Sequence, residues 1–260
     1  DTTVYLEEVT LSCTAEAQKT STSRTIQFDA FDRTQQGIQD LGEITRYMIN
    51  VDVPFDFGGA DGLVPYLSTG NSSINIRGVE GNRIQITLDG IPQPPSFIAN
   101  SFNQSAEGPG GTGRDFFDPA MYDRIYINKG STLTQYANAG LGGAVNLQTP
   151  NPSDFLTNSN TYLSQKFSYY DVNNAIASLT TGAARDKNYQ VLARYSYREG
   201  EERENNGATP ANPTDFDSQA ILAKVDYLAS NQHMFQFVVE HYQTSTEVEL
   251  DSAEADPFAA

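Results

Sequence analysis

Apolar residues follow two rhythms along this chain, and the change falls near residue 150. Before it, they come in short irregular groups. In residues 39–50, Leu41, Ile44, Tyr47 and Met48 recur at the spacing of one helical face, which predicts a short helix with a single buried stripe. Asp118 followed by Pro119 is a helix N-cap with proline at the first helical position, which predicts a turn of helix through Tyr122. Apolar or β-branched runs predict three compact strands at 73–77, 83–88 and 124–128, and Leu88-Asp89-Gly90-Ile91 predicts a hairpin turn after the second. Together these make a small α+β domain.

From about residue 160 the pattern becomes long two-residue alternation. Tyr189, Val191, Ala193, Tyr195 and Tyr197 share one face, against Gln190, Arg194, Ser196 and Arg198 on the other. Ile221, Ala223, Val225 and Tyr227 oppose Lys224 and Asp226, and Phe235, Phe237 and Val239 oppose Gln236 and Glu240. Weaker alternation at 161–170 and 174–184 brings the prediction to about five antiparallel strands. Short turns at 171–173 and 186–187 alternate with a polar excursion at 199–217, which is the habit of an outer-membrane barrel. A soluble antiparallel sandwich shares the period, so alternation alone leaves both open. Tyrosines near strand ends favour interfacial aromatic girdles.

Composition narrows the function. With 33 acidic and 16 basic side chains the 260-residue chain carries −17, which argues against a nucleic-acid partner, since phosphate binding needs clustered Lys and Arg. No apolar run reaches the roughly 18 residues of a transmembrane helix, a length that transmembrane strands do not require. Fourteen Tyr, 14 Phe, 20 Gly and no Trp suit β structure. Cys13 is the single cysteine, so no intrachain disulfide forms. The chain opens on Asp1 without an initiator Met, the start expected once a signal peptide has been removed. No Ser/His/Asp or Cys/His arrangement is present that would serve nucleophilic catalysis, and Gly140-Leu141-Gly142-Gly143-Ala144 lacks the Lys-Ser/Thr of a phosphate loop, so enzyme activity is not expected. Glu199, Glu201, Glu202 and Glu204 beside Arg198 and Arg203 read as a solvated turn.

Two blocks carry a family resemblance. Ile76-Arg77-Gly78-Val79-Glu80-Gly81-Asn82-Arg83 precedes Thr87-Leu88-Asp89-Gly90-Ile91-Pro92. Tyr122-Asp123-Arg124-Ile125-Tyr126-Ile127-Asn128-Lys129-Gly130-Ser131 then runs on to Ala139-Gly140-Leu141-Gly142-Gly143-Ala144-Val145-Asn146-Leu147. In this order and spacing they resemble the plug of TonB-dependent outer-membrane receptors. Glu80-Gly81-Asn82-Arg83 and Gly113-Arg114-Asp115-Phe116-Phe117-Asp118-Pro119 are most similar to the branch that takes up haem, often from haemoglobin, and that includes transferrin and lactoferrin receptors. Tyr195-Ser196-Tyr197-Arg198-Glu199-Gly200 and Asn212-Pro213-Thr214-Asp215-Phe216-Asp217 look like first barrel strands of that branch.

The resemblance implies a mainly β protein with an α+β plug domain inside a roughly 22-stranded antiparallel transmembrane β-barrel, incomplete here. Residues 1–150 would be TonB box and plug, and 151–260 about five first barrel strands. It implies a receptor in the outer membrane of a Gram-negative bacterium that binds haem or a haem-carrying protein and imports haem-iron with energy from TonB and its inner-membrane motor. Haem would be transported ligand rather than covalent cofactor. A ferric-siderophore receptor is the alternative within the family, and an outer-membrane adhesin or soluble β-sandwich binding module the alternative outside it.

Residue by residue, Asp1, Thr2, Thr3, Val4 and Tyr5 resemble the TonB box, a segment able to add a strand to a partner's sheet. Arg77, Arg83 and Lys129 stand where the family has basic plug residues that meet barrel-wall carboxylates, although Lys129-Gly130-Ser131 departs from the usual Arg-Gly-Pro. Residues 92–113 would form a plug loop flooring the substrate vestibule, where Phe97 and Phe102 stack on a flat apolar ligand and Asn100, Asn103 and Gln104 offer polar contacts. His233 and His241 share a face with Phe235 and Phe237, a face expected to point to lipid or an interfacial girdle rather than to haem iron.

Overall fold

The structure is a computed structural model that describes residues 24–30, 44–45, 48–53, 74–95, 97–98, 111–112, 117–130, 140–202, 213–230 and 233–249. Among the described residues nine short strands come first: β1 (Arg24–Asp29), β2 (Val51–Asp52), β3 (Asn75–Ile76), β4 (Ile84–Leu88), β5 (Ile91–Pro92), β6 (Phe97–Ile98), β7 (Gly111–Thr112), β8 (Arg124–Lys129) and β9 (Gly143–Gln148). A single-turn helix, α1 (Pro152–Phe155), leads to five long strands: β10 (Thr161–Tyr170), β11 (Ala175–Asp186), β12 (Tyr189–Gly200), β13 (Thr214–Ser230) and β14 (His233–Val248).

The small sheet has the order β1-β8-β9-β4-β5. Its centre is the parallel pair β4 and β9, joined in register from Ile84 opposite Gly143 to Leu88 opposite Leu147. Strands covered on both faces lose alternation and read as continuous apolar runs. Accordingly Ile84, Gln85, Ile86 and Thr87 are all buried, and Thr87 Oγ1 donates to Asn146 Oδ1 at 2.9 Å, so the polar groups this forces inside find each other. Asp89 and Gly90 both have positive φ, +47° and +81°, the backbone that a two-residue hairpin requires between β4 and β5. Of the predicted helix at 39–50, Ile44 and Thr45 are helical, and Ile44 and Met48 are buried in the same core; residues 39–43 and 46–47 lie outside the described residues. Asp118 caps the 3₁₀ turn Pro119–Met121, its carboxylate accepting from Ala120 N at 2.8 Å.

The five long strands form an all-antiparallel meander, β10 to β14 in sequence order. β10 has the predicted bounds, while β12 and β13 run further than their alternation suggested and the polar excursion is correspondingly shorter: β12 runs to Gly200 and β13 begins at Thr214. One face is buried against the small sheet and α1, through Leu192, Arg194, Ser196, Arg198, Ser218, Ala220, Leu222 and Lys224. The other face exposes Leu163, Phe167, Tyr195, Ile221, Phe237 and Val239. A contiguous apolar outer face with charged residues turned inward is the reverse of a soluble sheet and matches a wall that meets lipid. No described helix is long and apolar enough to cross a membrane.

A mid-strand charge separates these environments. Ile221 lies on the outer face at the centre of β13, and Ile221→Arg is expected to cost about 2–4 kcal/mol of insertion stability at bilayer mid-depth, against about 0.5 kcal/mol on a water-facing surface. Refolding of the full-length protein into lipid vesicles, read by denaturant midpoint, measures the difference.

Candidate functional site

The chemistry gathers where the small sheet sits on the inner face of the wall. Lys224 projects from β13, only 2% exposed, and its ammonium donates to Asn151 Oδ1 at 3.1 Å and pairs with Asp89 Oδ2 at 3.9 Å. Asp89 is held in turn by Thr149, whose N–H and hydroxyl donate to its two oxygens at 2.9 and 2.5 Å. The hairpin turn after β4, the exit of β9 and the wall therefore meet at one point. On β12, Arg198 Nη2 lies 3.5 Å from Asp118 Oδ1 with both side chains buried. Arg194 Nη1 donates to Ala120 O at 3.1 Å while its guanidinium lies over the Phe155 ring, 5.5 Å from the centroid. Tyr122 OH donates to Glu240 Oε1 of β14.

Asp118, Tyr122 and the Pro119–Met121 turn thus press one short segment against three wall strands. The wall supplies cations at Arg194, Arg198 and Lys224, and the small sheet supplies carboxylates at Asp89 and Asp118. Sequence reasoning had placed the inter-sheet ionic contacts on Arg77, Arg83 and Lys129, with the opposite polarity. In the structure Arg77 is exposed at φ +55°, Arg83 is exposed with Nε donating to Glu80 O at 3.2 Å, and Lys129 is buried and donates to Ile49 O at 2.6 Å within the small unit. Of the bridging residues, the wall cations were visible as the polar side of the alternation, and Asp89 and Asp118 as a turn and a cap.

Phe97 lies in β6, paired with Thr112 of β7. Asn100, Phe102, Asn103 and Gln104, and the N-terminal segment Asp1, Thr2, Thr3, Val4 and Tyr5, lie outside the described residues. His233 and His241 are both exposed, on the outward face of β14 with Phe235 and Phe237. Among the described residues no group of three or more His, Cys, Asp or Glu side chains is placed to hold a metal ion. A cavity of about 330 Å³ opens between the small sheet and β14, walled by Ile86, Leu88, Phe117 and Leu147 with Tyr122 and Glu240 at its polar side.

Burial first, then the negative charge of Glu240 and the hydrogen bond to it, push the Tyr122 phenol well above its usual range. A group whose pKa is raised by folding keeps its full contribution below the unfolded value, about 10 for Tyr, and loses it as pH rises beyond. Wild type and Tyr122→Phe should therefore differ by a constant increment, about 1–3 kcal/mol for a hydrogen bond to a charged group, from neutral pH to about pH 10. Above that pH the wild type alone loses stability through this group and the gap closes. Unfolding midpoints of both proteins between pH 7 and 12 check the sign.

Comparison with known proteins places this geometry. Residues 16–144 match the TonB-dependent receptor plug domain. Hemoglobin and hemoglobin-haptoglobin-binding protein A of Haemophilus influenzae is 27% identical over 222 residues, covering 80% of this chain and 20% of that protein. The hemoglobin and hemoglobin-haptoglobin-binding protein of Haemophilus ducreyi is 24% identical over 247 residues, 90% of this chain and 24% of its own length. The chain thus spans about a fifth to a quarter of these relatives. Among solved structures, the FrpB iron transporter of Neisseria meningitidis superposes with a TM-score of 0.65 at 18% identity, over 86% of this chain and 31% of that one. The ferric enterobactin receptor PfeA of Pseudomonas aeruginosa gives 0.59 at 16% identity, over 89% and 34%. A plug-domain match that ends inside β9, followed by a wall with its apolar face outward, leaves one assignment: the chain belongs to the TonB-dependent receptors.

Proposed function

We propose that this chain is the plug and first wall strands of an outer-membrane active-transport receptor that binds haem or a haem-carrying protein and imports haem-iron with energy transmitted by TonB. The observation that carries the transport reading is the seating of the small sheet on the inner, polar face of an outwardly apolar wall: a stopper held by side-chain contacts alone can be moved without breaking the wall's backbone ladder. The substrate class rests on the relatives, which are named for binding hemoglobin and hemoglobin-haptoglobin. Asp1, Thr2, Thr3, Val4 and Tyr5 would supply the strand that TonB captures, main-chain hydrogen bonds giving the grip. Arg77 and Arg83, exposed here, would meet carboxylates of wall strands that this chain does not contain; Lys129 would serve by holding the neighbouring turn. Phe97, Asn100, Phe102, Asn103 and Gln104 would floor the vestibule and meet the ligand from the plug side.

The test uses the full-length receptor in detergent. Added haem should shift its Soret band, and haemoglobin should co-elute with it; in cells, uptake of haem-iron should require TonB while surface binding does not. Absence of both shift and complex, with binding of a ferric siderophore instead, would replace the haem reading by the siderophore one.

A further inference from the structure

We infer that the inner face of β11–β13 is an anion track: Arg198, Arg194, Lys224 and Arg185, covered at rest, take the carboxylates of the transported ligand once the plug moves. For haem these are its two propionates, so the inference deepens the haem-import reading above and rests on it. The sorting of charge by face carries it. All five basic residues of β10–β14, namely Lys166, Arg185, Arg194, Arg198 and Lys224, fall on the inward side of the register. Acidic residues of β11–β13 do the opposite: Asp186, Glu199, Asp215 and Asp217 lie outward, and Asp226 alone lies inward. In a chain that carries −17 overall, an inner face this basic does not follow from composition.

Seating the plug does not account for these cations. Asp118 meets Arg198 and Asp89 meets Lys224, but Arg194 has no carboxylate within ion-pair distance among the described residues. Arg194 is 7% exposed on the middle strand of the five, so its surroundings are already in place. Nη1 donates to Ala120 O, the Phe155 ring covers the guanidinium, and Nε has no hydrogen-bond partner. Asp118 and Asp123 act on it only from further away. Arg185 likewise donates to neutral oxygens, Leu156 O at 3.2 Å and Asn160 Oδ1 at 3.3 Å. Burying a guanidinium is costly without an anion to offset the lost hydration, so one kept here without a paired carboxylate is placed for an anion that arrives.

The register sets the spacing. Arg198 and Arg194 stand four residues apart on β12, about 13 Å. Lys224 lies opposite Leu192 and Arg185 opposite Gln190, so each comes about 7 Å further along the wall. A ligand with two carboxylates can hold one cation while it reaches the next, and guanidinium takes carboxylate in a two-bond fork. Asp118 and Asp89 occupy Arg198 and Lys224 at rest, which keeps the track closed until the plug moves. Ligand carboxylates that replace them spare both cations from being stranded.

Haem and its dimethyl ester, which keeps iron and macrocycle but lacks both carboxylates, separate the track from plug seating. Uptake of labelled iron per surface-bound ligand is measured in TonB-competent cells carrying the full-length receptor. Wild type should import haem about tenfold faster than the ester, as expected of hydrogen bonds to charged groups. Arg194→Gln should cut that haem-to-ester ratio to about a third or less, and Arg194→Lys, which keeps the charge, should retain most of it. Arg185→Gln, at a side chain that does not hold the Pro119–Met121 turn, should lower the ratio too and serves if Arg194→Gln fails to fold. Loosened seating alters both ligands alike and leaves the ratio unmoved. A ratio near one in wild type, or an unchanged ratio in both Gln variants, would overturn the track and leave transport standing. No TonB-dependent haem uptake in wild type would overturn the haem reading. Import of a ferric catecholate in its place, slowed by Arg194→Gln, would keep the track for that anionic chelate; import of neither, or import not slowed, would overturn the track as well.

Discussion

Gly143→Ala is expected to disrupt the plug core by about 3 kcal/mol or more, the upper end of overpacking costs. Gly143 opens β9, opposite Ile84 on one side and Lys129 on the other. A Cβ there would run into the backbone carbonyl of Asn128 and meet Ile76 Cδ1 at 2.8 Å. Ile76 is completely buried, and the Asn128 carbonyl belongs to β8, so neither can swing aside as a surface side chain would. The damage should spread along the pairing of β8 with β9, because the obstructing atom is part of that ladder's backbone. Gly78→Ala provides the contrast: its φ of +79° makes the substitution strained, but no atom lies within 4 Å of the new methyl, so about 1 kcal/mol is expected. Native-state hydrogen exchange of the Ile127 and Val145 amides in the full-length receptor reads both effects. Protection lost in Gly78→Ala and kept in Gly143→Ala would refute the packing argument.

Much of the wall was legible because period-2 alternation is a direct consequence of one face meeting lipid and the other an interior. Tyr189 to Tyr197 sorted onto outward and inward faces as the alternation required. The ends of the strands were not legible from alternation: Thr214, Asp215, Phe216 and Asp217 fall in the polar excursion at 199–217, and only the family resemblance puts them in a barrel strand, where Thr214 and Phe216 are buried and the two aspartates face out. β9 was missed for a related reason, since Gly142-Gly143 signals a turn in sequence while in space it permits close approach of β8 and the Val79–Ile84 side chains. The site itself was half visible. Arg194, Arg198, Lys224 and Glu240 stood on the polar face, but polarity alone does not say whether a face meets water or another sheet. Their partners lie as far as 118 residues away, as with Tyr122 and Glu240, and no local pattern encodes such a pairing. Arg77 and Arg83 carry the ionic assignment through the family resemblance and are exposed on the side away from β12–β14, while the contacts to β12 and β13 come from Asp118 and Asp89, whose cap and turn roles were the only ones their sequence signalled.

The largest expected effect is at Arg198. Arg198→Met should destabilise the seating of the plug by about 3–5 kcal/mol, because it leaves the Asp118 carboxylate, 1% exposed, without its cation. Asp118 retains the hydrogen bond from Ala120 N through Oδ1 and Oδ2 makes no hydrogen bond among the described residues, so the neighbouring charge of Arg194 offsets the carboxylate only in part. The pairing can be separated from simple packing by a double-mutant cycle. Asn caps helical turns as well as Asp does, so Asp118→Asn keeps the Pro119–Met121 turn while removing the charge. Combined with Arg198→Met it should recover most of the loss, since two neutral residues strand no ion. Exchange of the Met121 and Tyr122 amides, which bond to Asp118 O and Pro119 O, reports the local opening. Full additivity of the two substitutions would mean that Arg198 acts through packing alone. A large favourable coupling would instead mean that the charges on the inner wall fix where the plug rests. Lys224 should show a smaller coupling to Asp89, because their separation is 3.9 Å, Asp89 is a quarter exposed, and Asn151 shares the ammonium. The order of the two couplings therefore follows from burial, and it assigns the firmest hold to the point where the Pro119–Met121 turn meets β12.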